Sequence, residues 1–159
     1  MAIKEHLSNT VDSNSLSDDK GRASIGRTIL LVIGDAIVFL IFAAVGRRSH
    51  GEVASISSFL QVVGTAAPFA LGWFIIAPLV GAYRRRQTTG VRKMAQWTAL
   101  SWLAAWPVAL LFRGIAVDRA VPPWTFMLIS LISNMLFLEV WRTLFAWLSG
   151  LKERRSLES

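Results

Sequence analysis

Three ionisable residues stand inside hydrophobic runs of this sequence: Asp35, Glu139 and Arg142. A charge in hydrocarbon is costly, so such groups pair inside a bundle or mark a path for protons or ions. At a helical rise of about 1.5 Å per residue, Asp35 lies roughly 12 Å from the charged end of its run. On the same count Arg142 lies roughly 9 Å and Glu139 roughly 14 Å from the charged end of theirs. Equal depth makes Asp35 with Arg142 the economical pair. Glu139 can reach Arg142 along its own helix, at i, i+3. The three residues fit a structural ion pair or a proton- or ion-responsive cluster. Arg142 is also shallow enough to snorkel towards the interface.

A second group is recognised by size. On a helical wheel Gln61, Gly64, Pro68 and Gly72 share one face, and Phe59, Ala66 and Trp73 share the opposite one. Small residues at four-residue spacing let helix backbones approach closely. The first face is therefore expected to pack against helix 1 or helix 4. Alternatively it lines a polar cavity, with Gln61 and Thr65 supplying hydrogen bonds. Trp73 is expected to point towards lipid or a partner chain. Asn134 can hydrogen-bond across helices. Trp97, Trp102 and Trp106 are expected to face lipid or fill packing gaps.

Little else offers chemistry. The chain has no cysteine, which removes disulfides, thiolate metal sites and cysteine nucleophiles. His50 and Glu52 make a poor metal site, because closed sites want three or four ligands. No nucleophile–base pair, glycine-rich phosphate loop or zinc-binding helix motif occurs. The expectation is no catalytic residue, no metal and no cofactor, and a protein that is not an enzyme. The net charge of +7 does not point to nucleic acid. Its basic residues flank hydrophobic spans, where orientation and lipid headgroups account for them.

The elements that must position these residues are helices. No Asp, Glu, Lys, Arg or His occurs from Val53 to Tyr83, from Met94 to Phe112 or from Ala120 to Leu138. A soluble bundle needs a polar stripe on each helix, and these runs carry none. Each is long enough to cross about 30 Å of hydrocarbon. With the run from Thr28 to Gly46, whose only charge is Asp35, four transmembrane helices are expected, at about 27–46, 59–83, 94–112 and 124–148. Pro68 and Pro78 are expected to kink the second without ending it. Pro122-Pro123 suits the start of the fourth. Residues 1–26 read as a disordered tail, and 149–159 as a short charged one. The two hairpins repeat at an offset of about 65 residues, which one bilayer thickness explains without an internal repeat.

Lys and Arg set the orientation. The N-terminal tail to Arg27, the loop 84–93 and the C-terminal tail hold four, five and three, against four in the other two loops. Twelve against four puts both termini in the cytoplasm.

Three strings carry a resemblance. They are Gly34-Asp35, the run from Gly46 to Gly51 that contains His50, and Pro68 to Trp73 continuing to Gly81-Ala82-Tyr83. Together, over roughly 27–148, they resemble a prokaryotic membrane family catalogued as domain of unknown function 3054. The resemblance implies a small multi-pass protein of bacteria or archaea, with Asp35, His50 and Pro68 at motif positions. It brings no activity, substrate or catalytic residue.

The resulting expectation is an all-α, four-helix, multi-pass protein of a prokaryotic plasma membrane. Its partners are the lipid bilayer and other copies or other membrane proteins. A structural, accessory or interaction role comes first, and a small oligomeric transporter or channel is the alternative. Asp35, Gln61 and Asn134 converging on a wet cavity would favour transport. The same groups paired and enclosed would favour structure.

Overall fold

Four long helices make the fold, as a computed structural model shows. It describes the backbone of residues 2–48, 56–88 and 90–155, and side chains within 24–47, 58–88, 90–116 and 119–151. The helices are α1 (Ala2–Arg48), α2 (Ile56–Val80), the single turn α3 (Arg85–Thr88), α4 (Val91–Arg113) and α5 (Trp124–Arg155). A π-helical turn, Gly114–Asp118, extends α4. No strand occurs among the described residues. The backbone of the expected tail 1–26 is helical from Ala2, as the first part of α1, and its side chains before Ser24 lie outside those described. His50 and its loop lie outside them too.

The membrane-sized portions are Ser24–Arg47, Ser58–Val80, Val91–Ala116 and Trp124–Leu151. Only 17% to 39% of the most apolar stretch of each is buried inside the bundle, and the rest is half-buried or exposed. What the spans present outward is apolar: Ile29, Ile33, Ile37 and Ile41 on α1, and Leu128, Ile132, Leu136 and Val140 on α5 are all exposed. A water-soluble monomer rarely exposes contiguous apolar surface on this scale. With no water to satisfy backbone groups in hydrocarbon, continuous helices are the remaining solution. Pro68 and Pro78 remain inside α2, and Pro107 inside α4.

The helices form a ring in which α1 packs on α2, α2 on α4, α4 on α5 and α5 on α1, with α2 against α4 the most extensive contact. Between them lies an aromatic core. Phe39 of α1 meets Trp102 of α4 at 5.7 Å between ring centres, and Phe42 meets Phe69 edge-on at 5.4 Å. Each such pair contributes about 0.5–1.5 kcal/mol beyond its area.

The small-residue face of α2 is only partly a seam. Pro68 and Gly72 are buried, while Gln61 and Gly64 are exposed. A Cβ at Gly64 would meet nothing within 4 Å; one at Gly72 would come within 2.8 Å of the Ala109 backbone. The close approach is thus to α4, not to α1 or α5. Gln61 accepts a hydrogen bond from Arg47 at the far end of α1. Trp73 corrects the wheel most sharply. It is fully buried, together with Ala66 on the same face. Size ranked Trp73 as lipid-facing, but an indole N–H in hydrocarbon needs an acceptor, and its acceptor is inside.

Candidate functional site

Asp35 and Arg142 meet at the centre of the bundle, both with no exposed surface. The pairing is bidentate. Arg142 Nε donates to Asp35 Oδ1 at 2.9 Å, and Arg142 Nη2 to Oδ2 at 2.6 Å. A fork of this kind holds geometry as well as charge. Further bonds to the pair come from α2 and the turn after it. Arg142 Nη1 donates to the Ala82 carbonyl at 3.1 Å. Trp73 Nε1 donates to Asp35 Oδ2 at 3.0 Å, and the Tyr83 hydroxyl donates to the same oxygen at 2.6 Å. The guanidinium lies 4.8 Å from the centre of the Trp73 ring and 4.7 Å from that of Tyr83, within reach of cation–π attraction. Burial, then the Asp35 charge, pushes the Tyr83 phenol well above its ordinary range. Tyr83 therefore stays a donor.

The sequence builds this site with three local devices. Gly34 admits the Trp141 ring, since a Cβ there would fall inside it. The dipeptides Gly34-Asp35 and Trp141-Arg142 thus interlock, ring over glycine and guanidinium on carboxylate. The second device ends α2. Gly81 adopts φ +99°, Ala82 N–H donates to the Ala77 carbonyl at 2.8 Å, and Gly81 N–H donates to the Pro78 carbonyl at 3.1 Å. That is a Schellman cap, with glycine in the left-handed position. It swings the chain so that the next two residues supply the Ala82 carbonyl and the Tyr83 hydroxyl. The third is Arg27, which donates to the Thr88 carbonyl and lies over Phe145 at 5.1 Å, tying α1 to the basic loop and to α5.

Gly81→Ala forces a Cβ into the left-handed region and within 3.0 Å of Gln87 Oε1. The expected loss is about 1 kcal/mol or somewhat more, read as a lower midpoint in detergent denaturation. Unchanged stability would mean that the cap does not position Ala82 and Tyr83.

Glu139 does not join the pair. No hydrogen bond or ion pair joins it to Arg142 among the described residues. Asn134 also differs from expectation: its amide donates to Ser130 O on its own helix at 2.9 Å. At this level of the bundle the side-chain bonds from α4 to α5 come from tryptophans, Trp102 to the Leu131 carbonyl at 2.9 Å and Trp106 to Ser130 Oγ at 3.3 Å. Trp73, Ala82 and Tyr83 are the residues that sequence reasoning missed. The available signal was a glycine just past a helix end followed by a phenol, next to a charge already known to need partners.

No metal-ligating cluster of three or more His, Asp or Glu occurs among the described residues. What the fold and site define is a multi-pass membrane-type helical bundle fastened by one enclosed ion pair. The chain belongs to the family described as protein of unknown function, DUF3054, whose model matches residues 32–145. No curated protein and no solved structure matches it. The matched stretch contains Asp35, Trp73, Gly81, Tyr83 and Arg142, so the whole ion-pair site lies within it.

Proposed function

We propose that this protein is a structural or accessory component of a prokaryotic plasma membrane. Both termini lie in the cytoplasm, and it works by associating with other copies or other membrane proteins. It is not an enzyme. The observation that carries this reading is the enclosed state of the Asp35–Arg142 site. Every Arg142 nitrogen donates to a neighbouring chain element, both Asp35 oxygens accept, and neither residue has exposed surface. A group meant to bind and release an ion must open to solvent at some stage, whereas a fastener need not. The three residues whose convergence would favour transport occupy separate places: Asp35 with Arg142, Gln61 with Arg47, and Asn134 with Ser130. The twelve-to-four division of basic residues supports the orientation.

Cross-linking in native membranes, followed by identification of what co-purifies, tests the role. The expected result is a defined homo-oligomer or a stoichiometric membrane partner. A chain captured only as a monomer, and conducting ions when reconstituted alone, would replace this reading with the channel. Reporter fusions at Gln87 and Ser149 test the topology, and an extracytoplasmic signal at Gln87 would reverse it.

A further inference from the structure

The turn after α2 and the first turn of α4 make one cationic patch. Arg84, Arg85, Arg86, Arg92 and Lys93 fall within ten residues, and all five are exposed. Basic residues at a membrane face serve orientation, so their presence alone does not make a site. This patch is distinguished by the lack of any answering charge in the chain. No Asp or Glu occurs between Glu52 and Asp118. Asp35, the acid within the α1 span, is bound by Arg142. Among the described residues, none of the five basic side chains forms an ion pair or a side-chain hydrogen bond.

Beside the patch opens an apolar cleft of about 370 Å³. It is lined by Val91, the first residue of α4, and by Val140, Thr143, Leu144 and Trp147 of α5. The α5 residues form a strip about 10 Å long, at about 1.5 Å per residue. Val91, Val140 and Leu144 are exposed. The Thr143 hydroxyl donates to the Glu139 carbonyl of its own helix. Trp147 stands at the end of the strip nearest the patch. It is exposed, and its indole N–H bonds to no group among the described residues.

Patch and cleft together select one occupant. A free phosphate would leave the cleft empty, and a neutral lipid would leave five positive charges unmet. An acidic protein segment would have to bring its own backbone polar groups to the apolar wall. An anionic phospholipid meets both halves. Its phosphate is drawn to a cluster of Lys and Arg beside a span, and an acyl chain matches Val140 and Leu144. Trp147 stands between the two, at the level where an indole has apolar surroundings on one side and polar ones on the other.

We propose that this corner of the bundle binds an anionic phospholipid, its headgroup held by Arg92, Lys93 and the arginines 84–86 and one acyl chain seated in the α4/α5 cleft. The inference goes beyond the structural role and is independent of it.

Native mass spectrometry of the full chain in mild detergent tests it, with phosphatidylglycerol and phosphatidylcholine of identical acyl chains offered at equal concentration. The expected result is a one-to-one adduct of phosphatidylglycerol, retained about tenfold or more over phosphatidylcholine. Each basic residue near an anionic headgroup contributes about fivefold. Arg92→Ala with Lys93→Ala should therefore cut the preference by about an order of magnitude. Arg119→Ala, in the loop at the other end of α4 and α5, should leave it unchanged. Leu144→Trp fills the cleft from an exposed position and should weaken phosphatidylglycerol binding while every basic residue remains. Excess glycerol phosphate should not displace the lipid. Equal retention of the two lipids by the wild type would overturn the proposal. Displacement by glycerol phosphate, or unimpaired binding in Leu144→Trp, would also overturn it, by reducing the site to a charged surface. Displacement by a polyglutamate peptide would assign the patch to an acidic protein partner instead. Because the wild-type preference and the two competitions are read on the native chain, a variant that fails to fold leaves the test intact.

Discussion

Asp35→Leu is expected to cost about 3–5 kcal/mol, enough to remove most of the folded protein. Breaking one half of a buried pair leaves the other half as an uncompensated buried charge, and total stability is only about 5–15 kcal/mol. In this variant Arg142 keeps one partner, the Ala82 carbonyl, and loses two. Adding Arg142→Met is expected to recover most of the loss. Replacing both members of such a pair by apolar groups is often neutral or better. The surroundings tolerate it here, because Trp73 Nε1 retains the Tyr83 hydroxyl, 2.9 Å away, as an acceptor. Reversing the two charges should recover less than the apolar pair. An Asp at 142 would face the Ala82 carbonyl, acceptor against acceptor, while the Trp73 and Tyr83 donors would face an Arg at 35. Denaturation of the three variants in mixed micelles checks the order. An Asp35→Leu protein as stable as wild type would show that the pair holds nothing together.

The ion pair and the bundle were legible in the sequence for one physical reason. In hydrocarbon, both charge and backbone are constrained so tightly that apolar length finds the spans, and depth alone matches Asp35 with Arg142. The partners around the pair were not legible in the same way. A helical wheel sorts residues by size and spacing and so turns Trp73 towards lipid or a partner chain, whereas the rotation of α2 also obeys the hydrogen-bond needs of one indole N–H. Ala82 contributes through a backbone carbonyl, which side-chain chemistry cannot reveal. Tyr83 depends on the Gly81 cap for its direction. Glu139 shared the depth of the pair and was grouped with it on that ground. Depth says nothing of which way a side chain turns around the helix, and Arg142 turns its three nitrogens to Asp35 and the Ala82 carbonyl. The family match over 32–145 adds membership and no role.

Gly72→Leu is the second substitution expected to remove folded protein, and Gly64→Leu is its control. Both glycines lie on α2 two turns apart, and by spacing alone they are equivalent. Their surroundings differ. At Gly72 the first added carbon would already lie 2.8 Å from Ala109 Cβ, 2.8 Å from its N and 2.9 Å from its Cα. Two of those atoms are backbone of α4, which cannot step aside without moving the helix. A leucine adds three further carbons in the same direction. Overpacking of a close-packed site costs about 1–3 kcal/mol and sometimes more, and here it acts on the most extensive helix contact of the bundle. Between helices in lipid, packing stands in for the absent hydrophobic drive, so a splayed α2/α4 seam has little to restore it. At Gly64 a Cβ meets nothing within 4 Å, and a leucine would point outward among lipid tails, where it is welcome. Replacing glycine inside a helix also recovers about 0.5–1 kcal/mol of backbone entropy. Gly64→Leu is therefore expected to be neutral or mildly stabilising. Gly72→Leu should instead lower the monodisperse yield and the denaturation midpoint. Pairing Gly72→Ala with Ala109→Gly should restore only part of the loss of Gly72→Ala alone, because it removes one of the three close atoms. Equal tolerance at positions 64 and 72 would contradict the close approach of α2 to α4. Equal damage at both would mean that Gly64 packs against another chain, and would point directly to the surface through which this protein associates.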